Sequence, residues 1–278
     1  IHFGVVNLDK PAGPTSHQVS DFVQKILNIR KAGHSGSLDP QVTGILPIAL
    51  EHATRLSHIL LKGGKGYTGI MHIHKKVEKA RIQEVLQKFI GKITQMPPVR
   101  SAVKRQWRER TVYSLIVHEI EENDILFSVD CEAGTYIRKL CHDVGKTLGT
   151  GAHMTELRRT RVTSFTEEGA VTLQDLQDAL MLWKEEGNEK FIRHCIKPAE
   201  RMAEHLPKIW VFDSTVESLC HGRDLAMPGI SKLNPFQKDQ TIAIMTLKNE
   251  LIALGTSFIS SDDILKNEKG IAVKTKKV

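Results

Sequence analysis

The sequence predicts an α+β fold divided into two domains, a larger mixed domain and a small β-rich one. Two observations predict the mixed domain: stretches with apolar residues at helical spacing occur beside stretches in which apolar and polar residues alternate. The third observation is the charged stretch 184–207, which ends in Leu206-Pro207 and predicts a linker. After it the pattern changes to short strands and turns. At 278 residues the chain also has the length of two domains. We therefore predict a first domain over residues 1–205 and a second over residues 206–278.

Local signals place the first elements of the large domain. Thr15 and Gln18 have the spacing of a capping box, and the apolar residues that follow repeat at helical spacing. Residues 31–47 are rich in Gly, Ser and Pro and predict a long loop that leads into a buried segment, 45–50. A second amphipathic helix is predicted around residues 82–89.

The second half of this domain begins with two strands. They are predicted over Val112–Ile120 and Ile125–Cys131, because apolar residues alternate cleanly in the latter. Gly134 ends the second strand, and helical spacing resumes over Ile137–Leu148. A further helix is predicted to begin at Thr172, which has an aspartate three residues on.

The small domain is predicted from short alternating segments. Ile209 and Val211 flank Trp210, and Ile242 and Ile244 alternate before a turn. A module of about 70 residues lies within the normal size range of a domain.

The formal net charge is +7 at pH 7, and the basic residues are concentrated in three places. These clusters are Arg100, Lys104, Arg105, Arg108 and Arg110; Arg158, Arg159 and Arg161; and Lys274, Lys276 and Lys277. Several clusters in one chain favour a polyanionic partner, most commonly nucleic acid, although any single cluster is equally compatible with a solvated face. Because aromatic residues make up only 5% of the chain, phosphate contacts would supply most of the affinity. No run approaches the roughly 18 apolar residues of a membrane helix, so no membrane partner is expected.

The four cysteines include no CxxC pair. They are Cys131, Cys141, Cys195 and Cys220. Their spacing gives no support to a zinc ribbon or a redox motif, and it predicts buried free thiols in a reducing compartment.

The densest candidate for chemistry is the segment Gly33–Pro40, followed by Gly44. Its glycines allow conformations that other residues avoid and the close approach of a large ligand. Pro40 holds Asp39 outside regular structure, and a carboxylate on a preorganised loop suits a nucleophile or a general base. The alternative is a turn in which Asp39 bonds its own backbone, and the local pattern alone favours this turn.

Three other segments carry weaker signals. Residues 62–67 predict a flexible basic loop that carries Tyr67, one of only three tyrosines. Arg138 follows a strand-to-helix corner, where it would pair with a carboxylate across a cleft or cap a surface turn. His72 and His74 share a strand face, but without a third ligand at a recognisable spacing, packed or exposed histidines are the better interpretation. No metal site is therefore predicted.

Five motifs follow one another along the chain, and a sixth segment follows them. They are Asn7–Ser16, Gly33–Pro40, Lys65–Tyr67, Thr135–Arg138 and Leu157–Thr160, with Gly222–Gly229 in the small domain. Together the five resemble a pseudouridine synthase of the TruB-type family, and the sixth resembles part of a PUA domain, an RNA-binding module. Three features resemble the RNA-guided branch of this family, which comprises the dyskerin-like subunit of box H/ACA ribonucleoproteins. They are the short separation of Tyr67 from Met96 and the segments 100–105 and 151–154. Gly66 stands where the family has an acidic residue and is expected to loosen the Tyr67 loop.

The resemblance implies roles for single residues. It makes Asp39 the nucleophile, Arg138 the partner of that carboxylate, and Tyr67 the ring that stacks on the target base. Further residues are expected to contact substrate or RNA, or to support those that do. They are Lys10, which would support the Tyr67 loop, His34, Tyr136, Leu157, Arg158, Arg100, Lys104 and Arg105.

The resemblance also implies a fold, partners and a location. We expect a catalytic domain with a mixed, largely antiparallel sheet and a small C-terminal β-barrel PUA domain. The expected partners are an H/ACA guide RNA, a ribosomal or transfer RNA substrate, small Nop-type and Gar-type proteins, and a kink-turn-binding protein that resembles a ribosomal protein. The isomerisation of uridine requires no cofactor. The expected location is the cytoplasm of an archaeal cell, or the nucleolus in a eukaryote.

Two alternatives remain open on the sequence. One is a stand-alone synthase that modifies the T-arm of transfer RNA without a guide. The other is a non-catalytic RNA-binding assembly subunit, for which the PUA module and the basic clusters would suffice. The joint presence of Asp39, Tyr67 and Arg138 speaks against the second alternative.

Overall fold

The computed structural model describes residues 1–97 and 104–277 of the chain. The chain divides into two compact units, Ile1–Ala199 and Glu200–Val278. The domain boundary predicted after residue 205 stays a prediction. Among the described residues, no helix is both long and apolar enough to cross a membrane.

The first unit combines short helices with a large sheet. Its strands are β1 (Gly4–Lys10), β2 (Ala32–His34), β3 (Thr43–Leu50), β4 (Lys65–Ile73), β5 (Gly91–Gln95), β6 (Arg108–Glu121), β7 (Asp124–Cys131), β8 (Ala152–Val162), β9 (Phe165–Thr166) and β10 (Ile196–Pro198). Its helices are α1 (Ser16–Leu27), α2 (Ser57–Lys62), α3 (Lys79–Gln87), α4 (Ile137–Leu148), α5 (Leu173–Glu186) and α6 (Glu189–Cys195), with a 3-10 helix over Glu51–Leu56.

The strands of this unit form one mixed sheet. Their order is β10-β1-β3-β8-β4-β7-β6-β5, with β2 beside β3 and β9 beside β8. Neighbours are antiparallel except β3 and β8, which run parallel. This confirms the predicted α+β class with a largely antiparallel sheet. It also places β8 between the strand that follows the Asp39 segment and the strand that carries Tyr67.

Two apolar cores support the sheet. In one, Ile82 of α3 and Leu140 of α4 belong to a cluster with Phe127 of β7. In the other, the helices α1, α5 and α6 contribute to a cluster that includes Val23 of α1 and Leu46 of β3. Burial of such side chains contributes about 1.5–3 kcal/mol each, so both ends of the sheet are firmly held.

The second unit is smaller and β-rich. Its elements are β11 (Lys208–Val211), α7 (Asp213–Cys220), β12 (Leu225–Ala226), β13 (Ile230–Leu233), β14 (Thr241–Met245), β15 (Leu251–Ser257), α8 (Ser261–Lys266) and β16 (Ile271–Lys277). The strands pair in the order β12-β16-β15-β14-β11-β13. Ile209, Ile244 and Val273 are fully buried in its core, as the alternating pattern of the first two predicts.

The capping signals are confirmed, whereas three other predictions are wrong. Thr15 and Thr172 each cap a helix through a complete capping box. Residues 184–207 are not a linker, since they include α6, whose Ile192 belongs to the second core described above. Residues 62–67 are not a flexible loop, because α2 ends at the first of them and β4 begins at the fourth. Cys220 is exposed rather than buried.

Candidate active site

Asp39 lies on the segment between β2 and β3, and the residues on either side of it are fixed. The backbone N–H of Leu38 donates to the buried Ser16 Oγ at 2.8 Å. The carbonyl oxygen of Pro40 accepts from Lys10 Nζ at 3.0 Å. Because hydrogen bonds fix the residues on both sides, the Asp39 carboxylate is held in one place and remains open to a ligand. The Asp39 side chain is in fact 57% exposed.

Lys10 is wholly buried and supports the Asp39 segment. Its ammonium donates to the carbonyl oxygens of Pro11 at 2.7 Å, Pro40 at 3.0 Å and Val42 at 2.9 Å. Burial and the nearby Arg159 lower its pKa, an effect that the Asp39 carboxylate opposes. The expectation that Lys10 supports the Tyr67 loop is therefore wrong, because its three acceptors lie on residues 11, 40 and 42.

Arg138 brings a cation to Asp39 from the first turn of α4. Its Nη2 lies 2.6 Å from Asp39 Oδ2, the distance of a charge-assisted hydrogen bond. The carboxylate therefore pairs across the site rather than with its own backbone, although Val42 N–H does bond the Asp39 carbonyl oxygen in a turn at 3.0 Å. The start of α4 is itself anchored, since the buried Gln95 side chain accepts from Tyr136 N–H at 3.0 Å and donates to Tyr136 O at 3.2 Å.

Tyr67 lies on β4 beside β8, and the two strands build the other side of the site. In the strand register Tyr67 is opposite Arg159, and Gly69 is opposite Leu157. The Leu157 side chain fits against Gly69, where a Cβ would lie only 2.8 Å from Leu157 Cδ1. Burial raises the pKa of the Tyr67 phenol, and the positive charge of the nearby Arg159 opposes this rise.

Lys65 fixes the beginning of the strand that carries Tyr67. Its ammonium donates to the carbonyl oxygens of Leu60 at 3.0 Å, Leu61 at 2.9 Å and Gly63 at 2.6 Å. Burial, followed by repulsion from Arg159, lowers the pKa of Lys65 to about 8.

Gly66 does not create a loose segment. It lies within β4, where a Cβ would be 2.8 Å from Asp130 Oδ1 and 3.2 Å from Arg161 Cβ. The expectation that Gly66 loosens the Tyr67 loop is wrong, because the position is part of a strand paired on both sides.

Arg159 is the residue that the sequence reasoning missed. It is 1% exposed and lies on β8 next to Arg158, which was selected instead. Side chains of consecutive strand residues point to opposite faces, so Leu157 and Arg159 share a face that Arg158 does not. Reading residues 157–159 as a strand would have supplied this signal.

Arg158 is engaged with two carboxylates on the opposite face. Its guanidinium lies 2.9 and 2.8 Å from the two carboxylate oxygens of Asp9 and 2.6 Å from Glu167 Oε1. An RNA phosphate would have to displace these partners, and the RNA contact expected of Arg158 stays a prediction.

The remaining expected RNA-contact residues lie in different surroundings. His34 is half-buried, and burial together with Arg159 lowers its pKa. Lys104 and Arg105 are exposed, in keeping with phosphate contacts. Arg100 lies outside the described residues.

His72 of β4 and His74, which follows the end of that strand, are both engaged with polar partners. His72 Nδ1 lies 2.8 Å from Asp124 Oδ1, and His74 Nε2 lies 2.9 Å from His153 Nδ1. Within residues 1–97 and 104–277, no group of three or more His, Cys, Asp or Glu side chains is arranged to hold a metal ion.

Family models and relatives match the whole length of the chain. A TruB family pseudouridylate synthase N-terminal domain matches residues 24–79 and 70–137, and a tRNA pseudouridylate synthase B C-terminal domain matches residues 138–204. The probable tRNA pseudouridine synthase B of Methanothermobacter thermautotrophicus is 52% identical over 279 residues, which cover 100% of this chain and 86% of the relative. The chain belongs to the TruB family of pseudouridine synthases. As a member it is an RNA isomerase by class.

Further matches agree with this membership. A PUA domain matches residues 207–278, and a DKCLD (NUC011) domain matches residues 1–20. The probable tRNA pseudouridine synthase B of Pyrococcus furiosus is 54% identical over 280 residues, covering 100% of this chain and 82% of the relative.

Solved structures match over the full chain as well. A crystal structure of a Cbf5-Nop10-Gar1 complex contains a chain with 53% identity and a TM-score of 0.96, covering 100% of this chain and 85% of that chain. An H/ACA ribonucleoprotein bound to a substrate RNA containing 2′-deoxyuridine contains one with 51% identity and a TM-score of 0.93, with coverage of 100% and 85%. The expected family, fold and PUA domain are confirmed.

Proposed function

We propose that this chain is the catalytic subunit of a guided ribonucleoprotein and converts a selected uridine of a folded RNA to pseudouridine. Similarity over the full chain to proteins solved with Nop10, Gar1 and a substrate RNA supports the guided assembly. The expected partners are a guide RNA, Nop-type and Gar-type proteins and a kink-turn-binding protein. We also propose a location in the cytoplasm of an archaeal cell; similarity to a protein of an archaeal box H/ACA complex supports the archaeal source.

The observation that carries the catalytic assignment is the Asp39–Arg138 pair on a clamped segment. A target uracil has to leave its stack to be reached, which costs a few kcal/mol and is offset by contacts in the site. The exposed Asp39 carboxylate can then act on the sugar, by attack at C1′ or by removal of a proton from C2′. Arg138, at 2.6 Å, fixes the direction of that carboxylate.

The remaining steps retain the base within the site. The N1–C1′ bond breaks, the freed uracil turns, and a C5–C1′ bond forms. The proton on C5 is then lost while N1 gains one, so the product is an isomer of the substrate. The Tyr67 ring would hold the base by its face, and Leu157 would lie against it. The neutral phenol favoured by burial of Tyr67 suits such a contact.

Surrounding charge favours an RNA ligand. Lys10, Lys65 and Arg159 are all buried around the site. Arg159 contributes to the lowered pKa of both lysines, as expected of three cations that lie in one region. A field of this sign attracts a phosphate backbone. Lys104 and Arg105 are proposed to extend this attraction along the RNA.

The test measures pseudouridine formation by the purified chain with three inputs. These are a transfer RNA transcript alone, a target RNA with a matching H/ACA guide, and that pair with the small partner proteins. Product only in the third reaction, or in the second and third, supports the guided enzyme. Product on bare transfer RNA alone would support the stand-alone synthase that the names of the relatives suggest. Tight RNA binding without product in any reaction would favour an assembly subunit.

A further inference from the structure

Arg159 is a buried cation at the centre of the site. It is 1% exposed, and its Nε donates to Ile45 O at 2.7 Å and its Nη2 to Gly36 O at 3.2 Å. The guanidinium also lies near the Tyr67 phenol, because Tyr67 is opposite Arg159 in the register of β4 and β8. Among the described residues, no carboxylate pairs with it. Burying a charge without a counter-charge is costly, and among the described contacts only hydrogen bonds to backbone carbonyls offset that cost.

The contacts of Arg159 reach both sides of the site. Gly36 precedes Asp39 and Ile45 follows it, so the two carbonyl bonds hold the nucleophile segment at both ends. Tyr67 belongs to the strand on the other side of β8. Strands β3 and β8 pair at only two positions, one of which is Gly44 with Arg159. The hydrogen bonds of the Arg159 side chain therefore strengthen a short strand pairing.

The guanidinium of Arg159 also determines where the Tyr67 phenol can direct its proton. Arginine has five N–H donors and no acceptor, so towards this guanidinium the Tyr67 oxygen can only accept. The phenolic proton is then free to point towards another acceptor, such as a group of the target base.

We propose that Arg159 is a positioning residue of the isomerisation, which sets the Asp39 segment and the Tyr67 phenol relative to each other. The inference rests on the proposed function. A lysine cannot reproduce it, because its point charge lacks the planar fork that serves several acceptors in fixed directions.

The experiment compares the native chain with Arg159→Lys and Arg159→Gln in the assembled ribonucleoprotein. We expect the single-turnover rate constant at saturating RNA to fall about 10- to 100-fold, because misplacement by about 1 Å has effects of this size. In Arg159→Lys, which keeps the charge, the RNA Kd should change less than about 3-fold, since the buried guanidinium offers no phosphate contact. Arg161→Lys on the same strand, whose guanidinium pairs with Asp130 at 2.7 Å, is the control and should keep the native rate.

A spectroscopic measurement of the pKa of Tyr67 separates a positioning role of Arg159 from a general loss of packing. The chain has only three tyrosines, so ultraviolet titration of the chain without RNA or partner proteins can resolve Tyr67, identified by its absence in Tyr67→Phe. Because Arg159 opposes the rise in the pKa of Tyr67, Arg159→Gln should move this titration to still higher pH.

The outcomes distinguish this inference from the proposed function. An inactive native complex would refute the proposed function, and the tyrosine titration would still decide whether Arg159 controls the phenol. Native rates in folded Arg159→Lys, a loss confined to Kd, or an unmoved titration would each overturn the inference. Failure of both variants to fold would also overturn it, since Arg159 would then serve stability alone.

Discussion

Replacing Lys65 with methionine tests the electrostatics beneath Tyr67. Lys65 is 5% exposed, and its pKa falls from 10.5 to about 8 in the folded chain through burial and the proximity of Arg159. Between these two pH values the unfolded chain holds a proton on Lys65 that the folded chain has lost. The unfolded state thus binds more protons, and the free energy of unfolding rises with pH.

The size of this effect follows from the two pKa values. Their difference of about 2.5, at about 1.4 kcal/mol for each pH unit, corresponds to a gain of about 3 kcal/mol between pH 8 and 10.5. Lys65→Met removes the titrating group, so the native chain should gain about this much relative to the variant across that window.

Urea unfolding at several pH values from 7.5 to 10.5 measures the difference directly. Lys62→Met, which replaces an exposed lysine at the end of α2, is the matched control and should follow the native chain. Parallel curves for the native chain and Lys65→Met would refute the reasoning, because they would mean that Lys65 titrates alike in the folded and unfolded states.

Two further predictions concern the RNA and the chemistry. Replacing both Lys104 and Arg105 with glutamine should flatten the dependence of log Kobs on log salt concentration by about 1.5, because two phosphate contacts are lost. Filter binding measures this, with Lys184→Gln/Lys190→Gln as the control, and an unchanged slope would place the RNA elsewhere. Since the isomerisation involves neither redox change nor hydrolysis, we expect full turnover in excess EDTA with RNA folded in monovalent salt. Loss of turnover that zinc restores would contradict this.

Local sequence signals correctly predicted those features of the fold that depend on residues close to one another in the chain. The spacing of Thr15 and Gln18 predicted the start of α1, and the structure has both hydrogen bonds of the capping box. The resemblance of two distant motifs predicted a pair between Asp39 and Arg138, which the structure brings to 2.6 Å.

What escaped prediction depends on contacts between distant segments. The acceptors of Lys10 include Pro40 and Val42, which come near only when β1 and β3 pair, so no local pattern shows that this lysine serves the Asp39 segment. Arg159 was missed for a related reason. Its role depends on β8 lying between β3 and β4, an order that the sequence does not display.

The charged stretch 184–207 shows how composition can mislead. Its charges suggested a solvated linker, yet α6 places Ile192 and Cys195 on a buried face. About three or four apolar residues in two turns are enough to form such a face when they recur at helical spacing.

The central claim is that the Asp39 carboxylate performs the isomerisation. The most direct test compares the native complex with Asp39→Asn, which keeps the shape of the side chain and removes its charge, by measuring pseudouridine formation and RNA Kd in the same preparation. We predict no detectable product from Asp39→Asn and a Kd within about 3-fold of the native value, because the change leaves the phosphate contacts intact. Substantial turnover by Asp39→Asn would contradict the account.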